Sequence, residues 1–155
     1  MEEKLVSYLC ENKMTIATVE SCTGGMVASK IVNVSGASNV FNEGFITYAN
    51  NAKIKYADVK KETLDTYGAV SSQVAMEMAQ GAAKKTGADV VVSVTGNAGP
   101  DGGTKEKPVG LVYLGCYVKG KTFYKECFFS GNRLEIREQS AGEAIEFAYY
   151  TVRNN

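Results

Sequence analysis

The sequence predicts an α/β protein: a three-layer α/β/α sandwich around a mixed sheet of about five strands, with an antiparallel hairpin near the C-terminus. Three observations lead there. Helical and extended patterns alternate through the first half of the chain, which favours parallel pairing. A continuous valine-rich run stands at Asp89 to Thr95, as in a central strand covered on both faces. Two later extended runs are joined by Lys119-Gly120, a connection short enough only for antiparallel neighbours.

Taken in order, the first ten or so residues form an amphipathic helix with Leu5, Tyr8 and Leu9 on one face. Met14 to Val19 is a short apolar, β-branched run and reads as a buried strand. Ser21 to Gly25 breaks it, and Met26 to Val34 is helical. Phe41 to Tyr48 is a second strand, Asn50 to Ala57 a short helix, and Glu62 to Gly68 a turn or helical piece. Ser71 or Ser72 caps a helix that runs to Lys85, with Val74, Met78 and Ala82 on one face and Gly87 stopping it. Asp89 to Thr95 follows as a strand, then a glycine-rich stretch from Gly96 to Pro108. Val109 to Val118 and Thr122 to Phe129 make the hairpin. Asn132 with Glu135 three residues on forms a capping box. The last helix then runs to about Val152, with Ile136, Ala141, Ala144, Ile145, Ala148 and Tyr149 inward.

The 155 residues suit one domain, 1–155, with no repeat, low-complexity tract or linker. A chain of this length buries roughly 70% of its unfolded surface, so its core needs no metal or disulfide staple. Seventeen basic and seventeen acidic residues cancel, which argues against nonspecific nucleic-acid binding. Apolar runs are too short to span a bilayer, and MEEKLVSYLC lacks the apolar region of a signal peptide. With four cysteines in no CxxC pair, the expectation is a reduced, cytoplasmic protein without a metal site. There is no histidine, which excludes Ser-His-Asp and Cys-His catalysis and His-ligated zinc.

Several residues can still carry chemistry. Ser21 ends a strand and precedes Gly24-Gly25 at a helix start. Its hydroxyl can face a ligand while helix N–H groups bind an anion or oxyanion; equally, Ser21 or Thr23 is only an N-cap. Cys22 is either an activated thiol or a buried inert one. Tyr48 ends a strand and Lys53 follows about one helical turn later, so both can reach one mouth. A lysine whose pKa is lowered towards neutrality can serve as general base to a serine where histidine is missing. The loop Thr95 to Pro108 has the glycines to converge N–H groups on a phosphate, with Thr95, Asn97 and Thr104 as polar donors. It is neither a Walker A loop nor a dinucleotide turn. Arg133 and Arg137, four apart, can clamp an anion together or pair with surface glutamates.

These pieces recur together in one order: ESCTGG at Glu20 to Gly25, the Tyr48-to-Lys53 segment, GAVS at Gly68 to Ser71, TGNAGPDGG at Thr95 to Gly103, EKPVG at Glu106 to Gly110 and FSGNRLEIR at Phe129 to Arg137. From about Leu5 to Val152 the chain resembles the CinA C-terminal domain family, the nicotinamide-nucleotide amidohydrolases. The resemblance implies hydrolysis of the carboxamide of nicotinamide mononucleotide (NMN) to nicotinate mononucleotide and ammonia. It implies an α/β/α homo-oligomer without metal; no cofactor is expected, and the charge balance and short apolar runs lead to the expectation of no nucleic-acid or membrane partner. Ser21, Tyr48 and Lys53 then form the catalytic trio. Lys53 takes the Ser21 proton directly or through Tyr48, Ser21 attacks the carboxamide, and N–H groups near Thr23, Gly24 and Gly25 hold the oxyanion. Thr95, Gly96, Thr104 and Arg137 or Arg133 face the phosphate. The family often has Ser and Glu where Ala49 and Asn51 stand, and Ile where Asn97 stands. Two other functions fit the same residues: a catalytically weak nucleotide- or protein-binding module, and an amidase for another small amide.

Overall fold

A computed structural model describes residues 1–155. The helices are α1 (Glu2–Glu11), α2 (Met26–Val32), α3 (Asn50–Ala57), α4 (Lys61–Tyr67), α5 (Ser72–Thr86) and α6 (Arg133–Arg153). The strands are β1 (Ile16–Glu20), β2 (Phe41–Ile46), β3 (Val90–Gly96), β4 (Leu111–Val118) and β5 (Lys121–Phe128). A short 3₁₀ turn at Ala37–Asn39, absent from the sequence reading, leads into β2. The α/β class and the mixed five-stranded sheet are as expected.

The sheet order is β2-β1-β3-β4-β5. β1 lies parallel to both β2 and β3. β4 runs antiparallel to β3 and to β5. Alternation along the strands sorts side chains to two faces. Ile16, Val90, Val92, Val94, Leu114 and Cys116 pack under α1, α2 and α6. Ala17, Val19 and Val91 pack under α3, α4 and α5. No helix is long and apolar enough to cross a membrane.

The caps are chemical. Ser71 Oγ accepts from the Val74 N–H at the start of α5, and Gly87 ends that helix in the left-handed region. Asn132 and Glu135 bond reciprocally as a capping box that fixes where α6 begins. Two glycines set the approach of α5. A Cβ at Gly115 would stand 2.4 Å from the Ala75 carbonyl oxygen, and one at Gly81 1.7 Å from that of Ala57. Only hydrogen at Gly81 lets the last residue of α3 lie against α5, and α3 carries Lys53.

The chain leaves β1 through α2 to β2 on one side and returns through α3 to α5 to β3 on the other. The reversal opens a crevice at the carboxyl ends of β1 and β3, where an open α/β sheet binds ligands.

Candidate active site

Residues Ser21, Cys22, Tyr48, Asn50, Lys53, Ala69, Val70, Thr95, Gly96, Asn97, Ala98 and Arg133 line a cleft of about 220 Å³ in that crevice. The volume is below the roughly 300 Å³ typical of whole small-molecule pockets, so it suits one end of a larger ligand. No carboxylate lines it. Arg133 is its one permanently charged side chain.

Lys53 is 1% exposed and stands on the second turn of α3 with its amine directed back at β1 and β2. Its Nζ lies 2.9 Å from Ser21 Oγ, 2.8 Å from the Thr47 carbonyl and 3.1 Å from the Tyr48 carbonyl. No carboxylate is among its partners. Burial lowers its pKa to about 8. Nζ donates to all three oxygens, and the Ser21 hydroxyl in turn donates to the Tyr48 carbonyl at 3.5 Å. Burial has the opposite consequence for the neighbouring thiol: it pushes Cys22 up to about 11 and so favours the protonated, less nucleophilic form.

Tyr48 lies at the cleft and is 61% exposed. Its hydroxyl accepts from Arg133 at 2.8 Å and touches neither Ser21 nor Lys53. Lys53 Nζ thus meets Ser21 Oγ directly, with no Tyr48 hydroxyl between them. The main-chain carbonyl of Tyr48, rather than its phenol, holds the lysine.

The turn from Ser21 to Gly25 departs most from expectation. Glu20, 1% exposed, folds its carboxylate under the start of α2. It accepts from the Thr23 hydroxyl at 2.6 Å and from the N–H groups of Gly25, Val27 and Ala28 at 3.2, 2.9 and 3.0 Å. The helix N-terminus is thus already occupied by the protein's own anion. The Gly24 N–H donates to the Ser21 carbonyl. Gly24 and Gly25 are consequently unavailable as oxyanion donors, and the Thr23 side chain is internal. The N–H groups of Cys22 and Thr23 have no acceptor on any other residue. Sequence reasoning gave Glu20 no role; an acidic residue closing an otherwise apolar strand just before a small-residue turn was the signal.

Thr95 and Gly96 line the cleft, with Thr95 Oγ1 donating to the Ala69 carbonyl at 2.8 Å. Thr104 does not: it is exposed, and its hydroxyl accepts from the Lys107 N–H within its own turn. Arg133 and Arg137 part company. Arg133 NH1 donates to the Gly99 carbonyl at 2.6 Å and so bridges the glycine loop to Tyr48 across the cleft mouth. Arg137 lies behind the Ser21–Gly25 turn, outside the cleft lining, and donates to the carbonyls of Cys22 and Thr23 at 2.9 and 3.2 Å.

Comparison with known proteins agrees with this architecture. The CinA C-terminal domain family matches residues 1–152. A CinA-like protein of Kosmotoga olearia is 57% identical over 147 residues, covering 95% of this chain and 36% of that protein. The chain thus spans 36% of the length of the curated relative it resembles. The crystal structure of the competence/damage inducible protein CihA from Agrobacterium tumefaciens is 39% identical, with a TM-score of 0.90 over 98% of this chain and 95% of that one. A CinA superfamily protein from Klebsiella pneumoniae is 26% identical, with a TM-score of 0.95 over 99% of this chain and 96% of that one. On the match across residues 1–152 and these shared folds, the chain belongs to the CinA C-terminal domain family.

Proposed function

We propose that residues 1–155 act as one domain that hydrolyses the carboxamide of NMN to nicotinate mononucleotide and ammonia. The observation that carries the reading is the buried Lys53 amine, 2.9 Å from Ser21 Oγ, with two carbonyls and no carboxylate as its other partners. That is the environment of a lysine kept ready to accept a proton.

In this reading, neutral Lys53 takes the Ser21 proton as Oγ attacks the carboxamide carbon. The tetrahedral oxyanion is received by the free N–H groups of Cys22 and Thr23. The Lys53 ammonium returns its proton to the departing nitrogen, and ammonia leaves. Water, deprotonated by Lys53, then cleaves the acyl-Ser21 ester and regenerates the hydroxyl. The exposed face of Tyr48 offers a cation–π platform to the pyridinium ring. Arg133 is the cation available to the phosphate, which projects beyond the small cleft. The same reading takes the working form to be a homo-oligomer.

The test is direct. Purified protein is mixed with NMN, without added metal, and ammonia and nicotinate mononucleotide are followed over time, with Ser21→Ala as control. Matched release of both products, lost in the variant, is expected. A folded protein that binds NMN without turnover would point to a binding module. Faster ammonia release from another amide would redirect the substrate assignment.

A further inference from the structure

The peptide groups of the Ser21–Gly25 turn divide into two sets. Its N–H groups at Gly24 and Gly25 are consumed internally, by the Ser21 carbonyl and the Glu20 carboxylate. Its carbonyls at Cys22 and Thr23 are consumed by Arg137. The Thr23 carbonyl also accepts from the Met26 N–H, whereas the Cys22 carbonyl has Arg137 as its sole partner. What remains unpaired is the N–H of Cys22 and the N–H of Thr23. The Thr23 N–H, next in the chain to that of Cys22 on the cleft wall, meets no acceptor on the protein.

The Cys22 carbonyl and the Thr23 N–H belong to one peptide group. A guanidinium bonded to that carbonyl draws electron density towards oxygen and makes the N–H a stronger donor, as hydrogen bonds in series polarise one another. The bond is part-buried, where a charge is screened less than in open water. Gly24 keeps the arrangement compact: its φ is +57°, and a Cβ there would stand 3.4 Å from Arg137 NH2.

We propose that Arg137 is a positioning residue for the amide hydrolysis: from behind the turn it holds and polarises the Cys22–Thr23 peptide, so that its N–H, beside that of Cys22, stabilises the oxyanion formed at Ser21. Arg137 touches no substrate. This rests on the serine-nucleophile reading above, and it replaces the expectation that Arg137 is a phosphate ligand.

Wild type, Arg137→Lys and Arg137→Met are compared in two assays. The first is steady-state NMN hydrolysis across pH. The second is the rate at which a fluorophosphonate labels Ser21, read by mass spectrometry. In the label reaction the Ser21 Oγ–P bond forms, the P–F bond breaks, fluoride leaves and Lys53 takes the hydroxyl proton. The phosphoryl oxygen needs the same N–H donors as the amide oxyanion. For Arg137→Met we expect kcat to fall on the order of 10- to 100-fold. KM should stay within about twofold, the midpoint of the pH profile should not move, and labelling should slow by a similar factor. Arg137→Lys, which keeps a cation at one carbonyl, should recover part of both rates. A raised KM at unchanged kcat, a shifted midpoint or unchanged labelling would overturn the proposal. Thermal unfolding of each variant separates this from collapse of the fold, and Arg137→Lys carries the test if Arg137→Met does not fold. Wild type that labels in an Arg137-dependent way yet leaves NMN untouched would sink the NMN reading and leave this one standing.

Discussion

Two glycine-containing segments meet at the cleft, one after β1 and one after β3, and they are built differently. The turn from Ser21 to Gly25 is held from both sides, by the Glu20 carboxylate on its N–H groups and by Arg137 on its carbonyls. The loop from Asn97 to Gly110 is held at a few points. Asn97 Oδ1 accepts from the Gly99 N–H, Arg133 donates to the Gly99 carbonyl, and Lys107 Nζ reaches the Tyr67 carbonyl. Between them, Pro100 to Lys105 are exposed. The comparison teaches that glycine content alone does not mark an anion cradle. In the first segment the charges that bind the backbone are the protein's own, and they leave two chosen donors free. In the second, the glycines serve the course of the loop.

The comparison can be broken first at the base. Lys53→Met should lower kcat by about 10³-fold or more, the scale of general-base catalysis, while the fold persists. In wild type, kcat/KM should rise with pH through about 8 and level off above it, because only the neutral amine accepts the Ser21 proton. The stability profile follows from the same group. Its folded pKa of about 8 lies below the ordinary 10.5, so between these values the unfolded chain binds a proton that the native chain lacks. Wild type should therefore gain stability as pH rises from about 8 to 10.5, and urea titrations of Lys53→Met should lose that slope.

Next in size is Glu20→Ala. It strips four hydrogen bonds from buried or half-buried donors and should cost about 3 kcal/mol or more in urea unfolding, with loss of turnover. A loss below about 1 kcal/mol would show that water replaces the carboxylate and that the turn is not held as described. Gly81→Ala comes third. The added methyl must push α3 from α5, at about 1–3 kcal/mol in thermal or urea unfolding, and kcat should fall as Lys53 shifts from Ser21. The smallest effect belongs to the second segment. Thr104→Ala removes one exposed hydroxyl that accepts from the Lys107 N–H, so stability should change by less than about 0.5 kcal/mol, with kcat and KM for NMN within about twofold. A large rise in KM would return Thr104 to the substrate.

Much of the fold was legible because its signals are local. The period of Leu5 and Leu9, the valine run before Thr95, the Gly87 stop and the Asn132–Glu135 box each need only near neighbours to act. Strand ends moved by a residue or two: β1 starts at Ile16 and β2 stops at Ile46, because pairing partners, not composition, decide where a ladder ends. The 3₁₀ turn at Ala37–Asn39 carried no apolar period by which to find it.

At the cleft the division is sharper. Sequence by itself determined which residue types are present: a serine at a strand end, a lysine one helical turn beyond the next strand, no histidine to compete as base, and two arginines four apart. Those facts, with the family resemblance, were enough to single out Ser21 and Lys53. Only the tertiary structure decided what surrounds them. Crossing of the chain between β1 and β3 buries the Lys53 amine against two carbonyls, and burial is what lowers its affinity for a proton. The one-turn offset along α6 takes Arg133 to Tyr48 at the cleft mouth and Arg137 to the Cys22 and Thr23 carbonyls, although both look alike in the chain. Residue identity is written one position at a time; desolvation and hydrogen-bond pairing are properties of neighbours brought together from distant parts of the chain.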